Sequence, residues 1–285
     1  LNNRPTTGFR RDSNIPLTPA PPKNADYVLL MNQDCWAAPG AIRALVSVAS
    51  ADTENVGIVS GIQLDERGDF DQIQLRSYLS RLAPQYLSDL RRGTLREAYD
   101  IDDVGFAATL LSRRMLERVG GFDPIFFLYC EDNDYCTRAR RQGFTIKIVT
   151  AAEFTHVRGF HGRSGSGASV PSMQRHVGRT RSIILLSAKA ASGKFVINVL
   201  RAWSSAFFGG LNATIQESSF RPFLVSVGAI GLSLLSLGAA FRHRRQTDVP
   251  GSHWISAQDL PNAPERHASQ AKARIRDAAC RWGRS

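Results

Sequence analysis

Short apolar runs alternate with turn-forming and charged stretches through the first 160 residues, and their lengths predict the elements. Tyr27-Val28-Leu29-Leu30-Met31 is a five-residue apolar run, as a fully buried strand requires. Pro39 suits a first helical position, and Ala41 to Val48 continue a helix expected to end before Asp52. Ile58 to Ile62 predicts a second strand, and Gly105 to Leu111 a third. Between them, residues 65–103 are polar, Arg-rich and without a clean period, and are expected to form a long functional loop over a site. Ser112 is suited to N-cap the helix Arg113 to Val119, which Gly120-Gly121 ends. Behind Phe122-Asp123-Pro124 and the aromatic cluster Phe126, Phe127 and Tyr129, a helix is predicted from Glu131 to Gln142, stopped by Gly143. Phe144 to Val149 alternates as a strand, and Glu153 to Val157 reads as a separate short one. Strands alternating with helices predict an α/β sheet.

Beyond this point the pattern changes. Residues 159–167 are Gly/Ser-rich with Arg and His, the composition of a mobile loop, and Arg175 to Gly209 is helical in period. Phe223 to Phe241 is nineteen residues without a charge, just long enough to cross a bilayer. Basic clusters lie on both sides of it, so the positive-inside preference assigns no orientation, and an interfacial or buried helix is favoured over a spanning one. The chain therefore divides into a loop-like stretch at 1–24, an α/β domain at 25–165, a helical, membrane-associated region at 166–245 and a basic, loosely ordered tail at 246–285.

Composition narrows the function classes. A net charge of +11, with Arg clustered at 91–92, 113–114, 138–141, 175–181 and 242–245, suits an anionic partner such as a phosphorylated substrate or an acidic membrane. A nucleic-acid binder would interleave aromatics with these cations, whereas the aromatics here crowd the acidic block 126–135, so nucleic acid is not an expected partner. The four cysteines, Cys35, Cys130, Cys136 and Cys280, form no C-x-x-C pair and read as free thiols.

Three places carry candidate chemistry. Asn32-Gln33-Asp34 follows a buried strand, where α/β sheets bind ligands and where a carboxylate can hold Mg²⁺ or Mn²⁺ against a diphosphate. Taken alone, Asp34 reads better as the start of the turn into the next helix. Glu131-Asp132-Asn133-Asp134 opens a helix, where acids are ordinary, but the same helix end would keep a general base ionised. His156 ends a short strand ahead of a loop with Arg158, His161 and Arg163, cations suited to closing over phosphates.

The order of these blocks adds what none carries alone. Strand-Asn-Gln-Asp is followed by G-F-A-A-T-L-L-S-R-R-M-L-E-R-V-G-G-F-D-P, then F-F-L-Y-C-E-D-N-D-Y-C-T-R-A-R-R-Q-G, then a strand ending in Thr-His. Over residues 25–160 this resembles glycosyltransferase family 2, especially its rhamnosyltransferase-like and galactofuranosyltransferase-like members. The resemblance implies a Rossmann-like GT-A domain, a nucleoside-diphosphate sugar as donor, a divalent metal, a glycan or lipid-linked acceptor, and a place at the cytoplasmic face of a membrane. It implies that Asp34 and His156 hold the metal, with Asn32 at the donor where many members carry Asp. Asp132 would be the catalytic base, with Glu131 beside it at the acceptor, and Gly120 to Asp123 the turn that shapes the acceptor side. An inverting single displacement follows, and Arg158 and Arg163 are expected from their charge to assist the leaving diphosphate.

The family's fold also opens with a strand–helix–strand unit that binds the nucleotide base. Only 24 loop-like residues precede the Asn-Gln-Asp strand here, with Gly8-Phe9 and Asn14 as candidate remnants, so an incomplete catalytic domain with impaired activity is expected. The competing expectations are a processive synthase, a non-catalytic scaffold and the basic nucleic-acid binder.

Overall fold

The structure, a computed structural model, describes residues 25–126, 129–157, 172–190, 195–251, 253 and 254. The expected loop at 1–24, the Gly/Ser stretch at 159–167 and the tail beyond 254 lie outside the described residues.

Six strands form one mixed sheet: β1 (Tyr27–Met31), β2 (Cys35–Ala37), β3 (Val56–Leu64), β4 (Ala98–Asp100), β5 (Ala108–Ser112) and β6 (Thr145–His156). The order is β1-β5-β3-β6-β2, and β4 also pairs with β6. Only β3 and β6 pair in parallel; β5 runs antiparallel to both β1 and β3. β6 was expected as two strands but is continuous. Its outer edge is covered first by β4, at Lys147 to Val149, and then by β2, at Phe154 to His156. Between these contacts the register slips, with Gly61 opposite Val149 and Ile62 opposite Glu153. A Cβ on Gly61 would stand 2.2 Å from the Ala152 carbonyl oxygen, so the slip requires glycine there. An unpaired residue run breaks alternation in sequence but not the strand.

Alternation assigns the faces. Leu111 packs with Ile58, Leu79, Tyr86, Met115, Leu116, Tyr135 and Ile146 on one side. Leu110 packs with Val59, Phe154 and the buried residues Leu45 and Val48 of α1 (Ala41–Ala51) on the other. A fully buried Leu such as Leu45 contributes about 2 kcal/mol by leaving water.

The first core side also contains the segment expected to be a loop. Residues 72–92 form α2 (Gln72–Gln74), a π-helical turn (Leu75–Leu79), α3 (Ser80–Leu82) and α4 (Pro84–Arg92). Asp71 caps α2 by accepting from the Ile73 and Gln74 amides. Leu79, Ala83 and Tyr86 fall at helical spacing and are buried, but the charges between them and the extra residue of the π turn blur the period.

The expected helix after β5 is present as α5 (Arg113–Val119), with Ser112 Oγ accepting from Met115 N. α6 (Glu131–Arg141) carries Glu131, Asp132 and Asp134 in its first turn and Arg138, Arg140 and Arg141 in its last, which complements the helix dipole at both ends. The C-terminal region is helical, as α7 (Ser172–Ala190), α8 (Phe195–Glu217), α9 (Arg221–Leu234) and α10 (Leu237–Thr247). The described residues of the stretch 175–209, expected to be helical, fall in α7 and α8. The apolar stretch 223–241 is not one helix either: α9 and α10 meet at 60°. No single described helix is long and apolar enough to cross a membrane, although this bent pair has the length and composition together.

Residues 246–251, 253 and 254 depart from the expected loose tail. The Gly251 amide donates to Arg118 O at 2.8 Å and the Gly121 amide to His253 O at 2.7 Å. Gly120, at φ +81°, has the His253 carbonyl oxygen 2.2 Å from where a Cβ would be, so this approach also needs glycine.

Candidate active site

The carboxyl ends of β1, β3 and β6 and the amino end of β5 share one edge of the sheet. The residues at this edge are Asn32 to Asp34, Gln63, Asp103 to Ala107 and His156.

Asp34 and His156 meet there. β2 pairs with the last residues of β6 and sets Cys35 opposite His156, and the Val157 amide donates to Asp34 O at 2.9 Å. His156 Nε2 consequently lies 3.4 Å from Asp34 Oδ1, with the histidine buried. Its Nδ1 is 3.1 Å from Gln63 Oε1. An amide oxygen only accepts, so Nδ1 is the nitrogen that donates to Gln63 and Nε2 is the one turned towards Asp34. Asn32 holds the turn between β1 and β2: its amide donates to Ala107 O at 2.8 Å and its carbonyl accepts from the Cys35 amide at 3.1 Å.

This donor set fits a divalent ion. One ligand atom each from Asp34, Cys35 and His156 lies within 4.8 Å of the others. Neighbouring ligands on an octahedral ion with bonds of about 2.1 Å stand about 3 Å apart, close to the Asp34–His156 separation. An imidazole among the ligands favours Mn²⁺ over Mg²⁺.

Asp132 stands in a second group. Tyr129 and Cys130, at φ 66° and 68°, precede α6 in the left-handed region, which costs a non-glycine residue about 1–3 kcal/mol and is concentrated at functional sites. Asn133 Nδ2 donates to Asp103 Oδ2 at 2.6 Å and so ties the first turn of α6 to the segment before β5. Asp103 Oδ1 and Glu131 Oε2 are buried without a hydrogen-bond partner. Burial, followed by the charges of Glu131 and Asp103, pushes the Asp132 carboxyl up to about 8. Burial also raises Asp103 and Glu131, and burial together with Asp132 and Asp103 raises Tyr78. The expectation that the helix end keeps Asp132 ionised is therefore corrected: desolvation and two neighbouring acids outweigh the dipole.

The segment 72–79 connects the two groups. Gln74 Oε1 accepts from the Gln63 amide at 2.8 Å, and one turn later Tyr78 reaches Gly105 and the Asp103–Asp132 carboxylates. Arg158 and Arg163 lie outside the described residues.

Asp123 and Asp134 belong elsewhere. Lys189 Nζ of α7 donates to Asp123 Oδ2 and, at 2.6 Å, to Asp134 Oδ1. Arg138 Nε donates to Asp134 Oδ2 at 2.8 Å, and the same guanidinium donates to Val119 O and Gly121 O. His243 Nδ1 is 2.7 Å from Asp123 Oδ1. Burial pushes Asp123 up, but His243 and Lys189 outweigh it and hold the carboxyl at about 2. Trp254 covers this network, 5.1 Å from the Arg138 guanidinium. The Gly-Gly-Phe-Asp turn thus anchors the C-terminal helices through Asp123.

Gln63, Tyr78 and Asp103 are site residues that sequence reasoning missed. Gln63 is a polar residue near the end of an apolar strand, and Asp103 precedes a strand that starts on the Asp34 edge. Those were the available signals.

Comparison with known proteins completes the picture. A family model described as glycosyltransferase like family 2 matches residues 6–179, more than half of the chain. Among solved structures, the chain is similar to GalNAc-T7 crystallised with UDP, GalNAc and Mn²⁺, at 13% identity and a TM-score of 0.40. That alignment covers 70% of this chain and 39% of the other, so this chain spans well under half of its length. No curated protein matches.

Proposed function

This chain belongs to glycosyltransferase-like family 2, and from that premise we propose that it moves a sugar, with inversion, from a nucleoside-diphosphate sugar to a hydroxyl of a glycan or lipid-linked acceptor in cell-envelope polysaccharide synthesis. Its fold is GT-A-like, a mixed α/β sheet followed by helices. The observation that carries the proposal is the pairing of Asp34 with His156 on the sheet edge that also bears the Asp103–Glu131–Asp132 group.

In this reading Asp34 Oδ1 and His156 Nε2 hold Mn²⁺ or Mg²⁺. When bound, the ion supplies positive charge to the departing diphosphate. Asp132, once ionised, takes the proton of the attacking hydroxyl; its raised pKa makes it a stronger base than an ordinary carboxylate. Asp103 Oδ1 and Glu131 Oε2, buried without partners, accept acceptor hydroxyls and orient them. Asn32 keeps the donor turn in place, and Arg158 and Arg163, which follow His156 in sequence, add charge to the leaving group.

The helical region suits the cytoplasmic face of an anionic membrane. Phe208 and Ile215 on α8, Leu224 on α9, and Phe220 and Leu235 at the two ends of α9 are exposed, with Arg201, Arg221, Arg242 and Arg245 exposed nearby in the chain. Co-sedimentation with phosphatidylglycerol vesicles and not with neutral ones is the expected result; equal recovery from both removes the membrane assignment.

The test of function is turnover of UDP- and dTDP-sugars with and without Mn²⁺. Metal-dependent release of nucleoside diphosphate, lost in Asp34→Asn and His156→Ala, is the expected result. Metal-independent turnover in those variants would overturn the reading.

A further inference from the structure

Gln63 touches no reacting atom, yet its buried side chain packs against a candidate metal ligand. It is 3% exposed, near the end of β3. Both of its main-chain groups are fixed: the amide donates to Gln74 Oε1 at 2.8 Å and the carbonyl accepts from the Asp71 amide at 2.9 Å. Gln74 is fixed in turn, its Nε2 donating to Gly61 O at 2.8 Å and its amide to Asp71 Oδ1 at 2.8 Å. The side-chain oxygen of Gln63 then accepts from His156 Nδ1 across 93 residues of sequence.

We propose that Gln63 is a positioning residue that selects the Nδ1–H tautomer of His156, so that the Nε2 lone pair is presented beside Asp34 to a divalent cation. The inference rests on the metal reading above. It follows from elementary acid–base chemistry. A neutral imidazole has one N–H and one lone pair, and an acceptor fixed at Nδ1 forces the lone pair onto Nε2. The main-chain bonds of Gln63 fix the backbone that carries its side chain, which limits where the side-chain oxygen can meet the His156 ring. Outer partners of this kind change metal affinity about 10–100-fold when removed.

Two measurements on the full chain test this. The first reads ring ¹⁵N shifts in metal-free protein at a pH where the ring is neutral, with the His156 signal identified by its loss in His156→Ala. An Nδ1–H tautomer that is lost in Gln63→Leu supports the proposal, and an Nε2–H tautomer in the parent overturns it. The second titrates Mn²⁺ by electron paramagnetic resonance. Gln63→Leu should weaken binding about 10–100-fold, whereas Gln63→Glu, which keeps an acceptor oxygen, should bind at least as tightly as the parent. Binding lost in His156→Ala but retained in Gln63→Leu overturns this inference alone. No Mn²⁺ binding in the parent, or undiminished binding in His156→Ala, overturns the metal reading and this inference with it. Should Gln63→Leu melt far below the parent, Gln63→Glu decides: retained affinity supports the role and lost affinity overturns it.

Discussion

Asp132 and Asp134 are two residues apart on one helical turn, yet their surroundings are opposite. Asp134 is paired on both oxygens, with Lys189 and Arg138, and Asp123 nearby is paired with Lys189 and His243. Asp132 has Glu131 and Asp103 as neighbours, and each of these leaves one buried oxygen without a partner. The paired acids join the C-terminal helices to the sheet domain. The crowded acids are costly to the fold, and such uncompensated cost is characteristic of sites kept for chemistry.

The largest test of this contrast is Asp132→Asn. It should lower transfer about 10²–10⁴-fold and raise the melting temperature at pH 8, because it relieves repulsion among three acids. Lost activity with lowered stability would place Asp132 among the structural acids instead. Lys189→Met addresses the other group. It leaves Asp123 and Asp134 short of a buried cation and should cost about 3–5 kcal/mol in urea unfolding. A loss under about 1 kcal/mol would mean that Arg138 and His243 suffice.

The pH dependence should also separate the groups. Asp132 keeps in the folded state a proton that an ordinary carboxyl loses near pH 4, so its ionisation destabilises the fold as pH rises from about 4 to 8. Transfer should rise over the upper part of that window, with kcat/KM levelling above about pH 8. Asp123 has the opposite sign. Its carboxyl is held at about 2, so its stabilisation is present above about pH 4 and lost as pH falls towards 2. A flat kcat/KM profile from pH 6 to 9 would remove Asp132 as the titrating base. The smallest effect is expected at the exposed Lys147–Asp100 pair, where Asp100→Asn should change stability by less than about 1 kcal/mol. A larger change would show that pairing alone, without burial, carries the contrast.

Much of the frame was legible from local pattern. The apolar run at 27–31 forms β1, though as a half-buried strand at the edge of the described sheet and not the fully buried one expected; Ser112 caps α5, and the acidic start and basic end of α6 mark that helix. Asp34, Glu131, Asp132 and His156 were identified by their order in the chain, and two of them, Asp34 and His156, touch. The helices at 72–92 were not legible, because charged residues and a π turn interrupt the period of Leu79, Ala83 and Tyr86. The continuity of β6 depended on Gly61 meeting Ala152, a contact between two strands. For Gln63 and Asp103 the local signal was a polar residue in or beside a strand, which names neither partner.

Sequence by itself determined where β1, the Ser112 cap and the ends of α6 fall and which residue types could hold a metal or take a proton, because those depend on neighbours within about a turn. Tertiary structure alone decided that Gln63 faces His156, that Asp103 joins Asp132 and that Lys189 takes Asp123 and Asp134. These pairings span 93, 30 and 55 to 66 residues in the cases of Gln63–His156, Asp103–Asn133 and the Lys189 contacts. A carboxyl's pKa and an imidazole's tautomer are set by whatever packing brings within a few ångströms, and no local pattern contains that information.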